Sequence, residues 1–165
     1  MNANLMVARI KPNPIGKDRN PYGGTTAGQL GGEWVDIKNT SRSTISLEKV
    51  ELYHMAFSGR DSKPAKVTGF SGSLAPGKIV RVHSGKVRPL SVLRQEDIRG
   101  ADHHIFTGKD NYVWNNAEGD TPGLWNVTSR VWIDRATYDR NPPEGAVLVR
   151  SGDRLVPAQS AVSRW

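Results

Sequence analysis

The stretch YVWNNAEGDTPGLWN, residues 112–126, packs two Trp, three Asn, a Glu and an Asp around two Gly and a Pro. Oxygen-rich side chains at that density suit either a cation loop or the joint between two β-strands, and the two readings imply different proteins. Strand alternation in YVWNN puts Val113 and Trp114 on opposite faces. With Trp114 inward, the indole contributes a large apolar area and needs one acceptor for its N–H. Asn115, Asn116 and Asp120 have short side chains that bond nearby backbone N–H groups, and Gly119 supplies a positive φ. Leu124 then returns to the core on a partner strand. A hairpin accounts for every residue type. The alternative, a cation held by Asn116, Glu118, Asp120 and Asp110, lacks the D-x-[DN]-x-[DN]-G order of an EF-hand loop. The residues favour the hairpin, and no metal and no cofactor are expected.

Short alternating runs recur on both sides of this stretch, and long helical periodicity is missing. Leu5 and Val7 mark a first strand. In GEWVDIKN (32–39), Val35 and Ile37 share one face, with Trp34, Asp36 and Lys38 on the other. ISLEKVELYH (45–54), KVTGF (66–70) and IVRVH (79–83) follow; in the last, Val80 and Val82 point one way, Arg81 and His83 the other. HHIF (103–106), NYVWN (111–115), GLWN (123–126), RVWIDRATY (130–138) and AVLVR (146–150) complete the set. Gly and Pro clusters punctuate them. This spacing predicts an antiparallel sandwich or barrel whose strands hide one face and wet the other. One helix is expected, SVLRQEDIRG (91–100), capped by Ser91 and ended by Gly100. Residues 11–32 read as a long surface loop. Residues 141–165 read as a turn, one strand, a second turn and an irregular tail.

In order along the chain, these pieces resemble the lamin-tail domain, and its prokaryotic members more than its nuclear ones. NPIGKDRN (13–20) leads to GEWVDIKNTS (32–41), which is similar to the family's E-W-V-x-I-x-N strand. FSGSLAPGKIVRVHSG (70–85) resembles its F-x-x-G-x-x-L-x-P-G-x-x-V-x-V-x-x-G hairpin. VWNNAEGDTPGLWN (113–126) resembles V-W-N-N-x-G-D-x-x-x-L-x-D, and VWIDRATY (131–138) the strand after it. The chain departs from the pattern at Glu48-Lys49-Val50, where Ser-Gly-Trp would stand, and in the longer insert 86–111. The resemblance implies an all-β, immunoglobulin-like antiparallel β-sandwich over residues 1–140. Residues 141–165 would form an extension with one extra strand, packed on the same domain. It also implies a non-catalytic binding or structural module.

Composition narrows the chemistry. A chain of 165 residues is the length of one domain. With no Cys there is no disulfide, no thiolate zinc site and no Cys nucleophile. No run reaches the roughly 18 apolar residues of a membrane span, and no secretory leader is legible, so a soluble protein is expected, cytoplasmic or, with a leader already trimmed, secreted. His103 and His104 are adjacent and point to opposite faces of a strand, while His54 and His83 are single. GFSGS (69–73) misses G-x-S-x-G, and neither a Walker loop nor G-x-G-x-x-G occurs. Asp18, Asp36, Asp134 and Asp139 read as scattered surface carboxylates.

The charge is unevenly placed. Lys63, Lys66, Lys78, Arg81, Lys86, Arg88 and Arg94 lie in a stretch without Asp or Glu, and the rest of the chain is balanced, so the whole net charge of +7 sits there. The stretch reads either as a solvated face or as contacts for a polyanion such as nucleic acid, with Arg81 on the outward side of its strand. The second class of partner is another protein, accepted at an edge strand, with the domain a monomer or homodimer. AVLVRSGDRLV (146–156) would add to an edge in its own domain or in a neighbour. A hydrolase acting on polyanions is the remaining class.

Overall fold

Val35 and Ile37 are buried, as the alternation requires, but so are Trp34 and Asp36 on the opposite face of the same strand. A strand buried on both faces needs cover on both sides, and that requirement shapes the molecule. The computed structural model describes residues 4–17, 26–58 and 61–158, apart from the side chains of Phe57 and Ser58. In chain order the elements are β1 (Leu5–Lys11), α1 (Ala27–Gly31), β2 (Trp34–Asn39), β3 (Ile45–Ser46), β4 (Val50–Ser58), β5 (Asp61–Gly69), β6 (Ser73–Leu74) and β7 (Ile79–His83). Then come α2 (Gln95–Ile98), β8 (His103–Phe106), β9 (Gly123–Asn126), β10 (Val131–Arg135), β11 (Leu148–Ser151) and β12 (Arg154–Pro157).

The fold is an all-β sandwich. One sheet has six strands in the order β12-β11-β1-β2-β7-β8, the other four in the order β10-β9-β4-β5, and β3 and β6 form a short ribbon. Val7, Ile37 and Val82 of the first sheet meet Leu52, Val67 and Leu124 of the second in one core. Burial of each such side chain contributes about 1.5–3 kcal/mol. A charged bridge crosses between the sheets at the bulge in β1 after Val7. There Asp134 accepts from Val7 N–H (2.8 Å) and is gripped by the Arg150 guanidinium at 2.6 and 2.9 Å.

Several expectations are corrected. The sheet is not purely antiparallel, because β7 and β8 pair in parallel. A parallel pair needs a crossover, and residues 84–102 supply it. This crossover passes over the outer face of β2 and β7, which is why that face is dry. The helix foreseen over 91–100 is a 3-10 turn at Leu90–Val92 and then α2, with Arg94 rather than Ser91 at the N-cap position. Leu93 between them is extended (φ −89°, ψ 155°) and packs its side chain onto Gly31. ISLEKVELYH breaks into β3 and β4 at a turn in which Val50 N–H donates to Leu47 O. Residues 11–32 are not all loop: Thr26 caps α1 through a capping box with Gln29. Residues 18–25 of that segment, Asp18 among them, lie outside the described residues. The C-terminal part holds two strands, β11 and β12, and β11 pairs with β1 in the same sheet.

Candidate functional site

The stretch 112–126 is not a hairpin. Residues 112–115 form no strand, and β9 pairs instead with β4 and β10. Two buried carboxylates hold the loop from behind. Asp120 accepts from Met55 N–H (2.8 Å), Thr121 N–H (2.7 Å) and Asn115 N–H (3.1 Å), and His54 Nδ1 lies 3.2 Å away. Glu33 accepts from Val113 N–H (2.7 Å), Trp114 N–H (3.2 Å), the Ser84 hydroxyl and Lys17 Nζ (2.6 Å). Burial raises the Glu33 carboxyl above the usual carboxylate range, against the opposing pull of Lys17. Anchored this way, Trp114 enters the core at 3% exposure. Asp120 is therefore a structural hub. Glu118 is exposed and Asp110 pairs with Lys86, and no group of three potential metal-ligating His, Asp or Glu side chains occurs among the described residues.

The space between the six-stranded sheet and the crossover is also filled with charge. Asp36 accepts from Arg81 Nε (2.6 Å) and Nη2 (2.9 Å) and from Arg9 Nε (3.0 Å). The Arg81 guanidinium lies 3.6 Å from the centre of the Trp34 ring and also donates to the carbonyls of Asp97 and Arg99. Asp97 takes Lys11 Nζ (2.6 Å) and the Trp34 indole N–H (2.9 Å). Arg81, expected to face outward toward a polyanion, is thus 1% exposed and spent on internal contacts. Asp36 is likewise no surface carboxylate. The alternation placed both residues on the right face, but that face is covered.

Other members of the basic stretch meet acids from elsewhere in the chain. Lys66 pairs with Glu51 (2.7 Å), Lys86 with Asp110 (3.0 Å), Arg94 with Glu96 (3.7 Å) and Lys78 with Asp102 (3.8 Å). Lys63 and Arg88 are exposed and have no ion pair among the described residues. The seven cations are also divided between β5 in one sheet and the β7–β8 region of the other. Asp139 pairs with Arg154.

What remains available for recognition is a sheet edge. The sandwich has four edge strands, and three carry devices that discourage pairing. β5 presents Lys63, Pro64 and Lys66; β10 has a bulge between Trp132 and Asp134; β12 contains Pro157 and is bridged by residues 136–138, Leu155 N–H donating to Thr137 O. β8 has none of these. Its one hydrogen-bonded neighbour among the described residues is β7. Val80 and Val82 turn their amides to β2, and Thr107 N–H donates inward to His83 O (2.9 Å), so by ladder alternation the amides of His103 and Ile105 face β7 and those of His104 and Phe106 point away from it.

Beside this edge runs a groove of about 760 Å3. Leu47 and Leu74 line it from the β3–β6 side, Val87, Arg88 and Leu90 from the crossover, and β8 itself completes it. Val87 is 78% exposed and offers apolar area that a bound partner would remove from water. The two histidines of β8 behave as adjacency predicted. His104 turns to the crossover side, its Nδ1 2.8 Å from His83 Nε2, while His103 is exposed. Gly31 O can only accept, so the His83 Nδ1 that lies 2.7 Å from it carries the hydrogen. His83 Nε2 is then the acceptor for His104. Burial pushes His83 down to about 4. Sequence reasoning missed the groove. Its signal was the exposed apolar side chains of VRPLSV (87–92) inside an otherwise basic segment.

The fold defines the chain as an all-β sandwich. No protein-family model matches it, and no curated protein matches it in sequence. Among the described residues, no helix is long and apolar enough to cross a membrane.

Proposed function

We propose that the chain is a non-catalytic interaction module, lamin-tail-like in organisation, that accepts an extended segment of a partner protein along β8. The observation that carries this reading is the unprotected edge of β8 lying in an apolar groove. An added strand would satisfy the outward amides and carbonyls of His104 and Phe106 and cover Val87 and Leu90 together. The absence of catalysis is supported by how the acidic groups are used: Glu33, Asp36, Asp97 and Asp120 are all buried and occupied by backbone amides or cations. The test is selection of a phage-displayed random peptide library on the immobilised full chain, followed by amide exchange of the complex. Slowed exchange at His104 and Phe106 supports strand addition. Binding that leaves those amides unprotected refutes it.

The net charge of +7 favours a second reading, polyanion binding, through the exposed Lys63, Lys86 and Arg88 with support from Lys66, Lys78 and Arg94. Binding of this kind weakens steeply with salt, because neutralised phosphates release counterions. Retention on a heparin column that is unchanged by Lys86→Glu with Arg88→Glu would remove it.

A further inference from the structure

We infer that the segment accepted by β8 is acidic, with apolar and carboxylate side chains alternating along it. This inference rests on the strand-addition reading above and specifies its ligand. A strand paired to β8 continues the pleat, so every second side chain falls on the face that carries His103 and Ile105. That face leads to Leu47 and Leu74, both buried core residues, and only an apolar group gains there. The intervening side chains fall on the face of His104, which the 84–102 crossover covers, and Arg88 of that crossover lines the same groove.

Charge decides those intervening positions. Asp102, the acid of the groove, is already engaged by Ile79 N–H at 2.9 Å and Lys78 at 3.8 Å. Lys86 next to the groove is paired with Asp110. Arg88 has no ion pair among the described residues, so the unmatched charge at the groove is positive. A carboxylate on the ligand would meet it, and a lysine would be repelled. Nucleic acid fits this place poorly. Its backbone has no N–H for the outward carbonyls of His104 and Phe106, and its phosphates gain nothing from apolar walls.

The probes are peptides enriched from the random library on the full chain, resynthesised with each Glu or Asp replaced by Lys. The acidic forms should bind about fivefold or more tightly than the Lys forms to the unaltered protein. Arg88→Glu, an exposed position, should reverse that order while the protein's melting temperature stays unchanged. N-methylation of alternate peptide amides should abolish binding in one register and spare it in the other. Enriched peptides without acidic residues, or a charge swap with no effect while His104 and Phe106 remain protected, would overturn the acidic ligand and leave strand addition standing. Binding indifferent to N-methylation in both registers would overturn strand addition itself, as would a chain that occupies β8 by dimerising.

Discussion

Replacement of Asp120 by Ala tests what the 112–126 loop is for. The carboxylate accepts three backbone N–H groups, those of Met55, Asn115 and Thr121, at 2.7–3.1 Å from within a site where its own side chain is fully buried. Each amide left without an acceptor costs about 1–3 kcal/mol. Partial entry of water into the vacated space favours the lower half of that range, so Asp120→Ala should cost about 4 kcal/mol. For a domain of this size about 1 kcal/mol corresponds to 2–4 °C, and the melting temperature should fall by about 10 °C. Asp120→Asn is the informative partner. Its carbonyl oxygen at the Oδ1 position keeps Met55 and Thr121, while its amide faces Asn115 N–H, donor against donor, so about half the loss is expected. Calorimetry at neutral pH reads both variants. A melt of Asp120→Ala within about 2 °C of the unaltered protein would refute the structural role. Calcium should leave the unaltered protein's melt unmoved; a rise abolished by Asp120→Ala would make the loop a cation site after all.

Three further outcomes are expected. Stability should fall as pH drops from about 6.5 toward about 4: buried His83 resists the proton that the unfolded chain takes up, so the unfolded state binds more protons in that window, at a total cost of about 3 kcal/mol. Burial also lowers His104, which acts in the same direction, and His83→Gln should flatten that part of the urea-denaturation profile. Arg81→Ala should destabilise by about 3–5 kcal/mol, since it strips a buried carboxylate of its main partner, yet leave heparin retention of the folded fraction unchanged. Lys63→Glu should change stability by less than about 0.5 kcal/mol, as read by chemical denaturation, because that side chain is exposed and makes no ion pair among the described residues.

Much of the sandwich was legible because strand alternation is a local property. IVRVH and HHIF became β7 and β8 residue for residue, and Val80 and Val82 face the core as their spacing required. The stretch 112–115 misled for a physical reason. Its alternation is real, but its backbone N–H groups are satisfied by Glu33, some 80 residues away, instead of by a partner strand. Nothing in YVWNN announces a carboxylate supplied from another part of the chain. The helix at 91–100 failed similarly: its residues could form two turns, but Leu93 gains more from packing on Gly31.

Composition and periodicity alone settled an all-β chain without thiol chemistry, because both depend only on neighbours along the chain. Which faces are dry, which cations are free and which edge is open depended on contacts between distant segments. Arg81 shows the difference. Seven cations in a row of residues without acids look like a binding surface, yet folding brings Asp36, Glu51, Asp102, Glu96 and Asp110 against five of them. Charge adds along a sequence, but it is screened and paired in three dimensions, so only the tertiary structure could leave Arg88 beside an open strand.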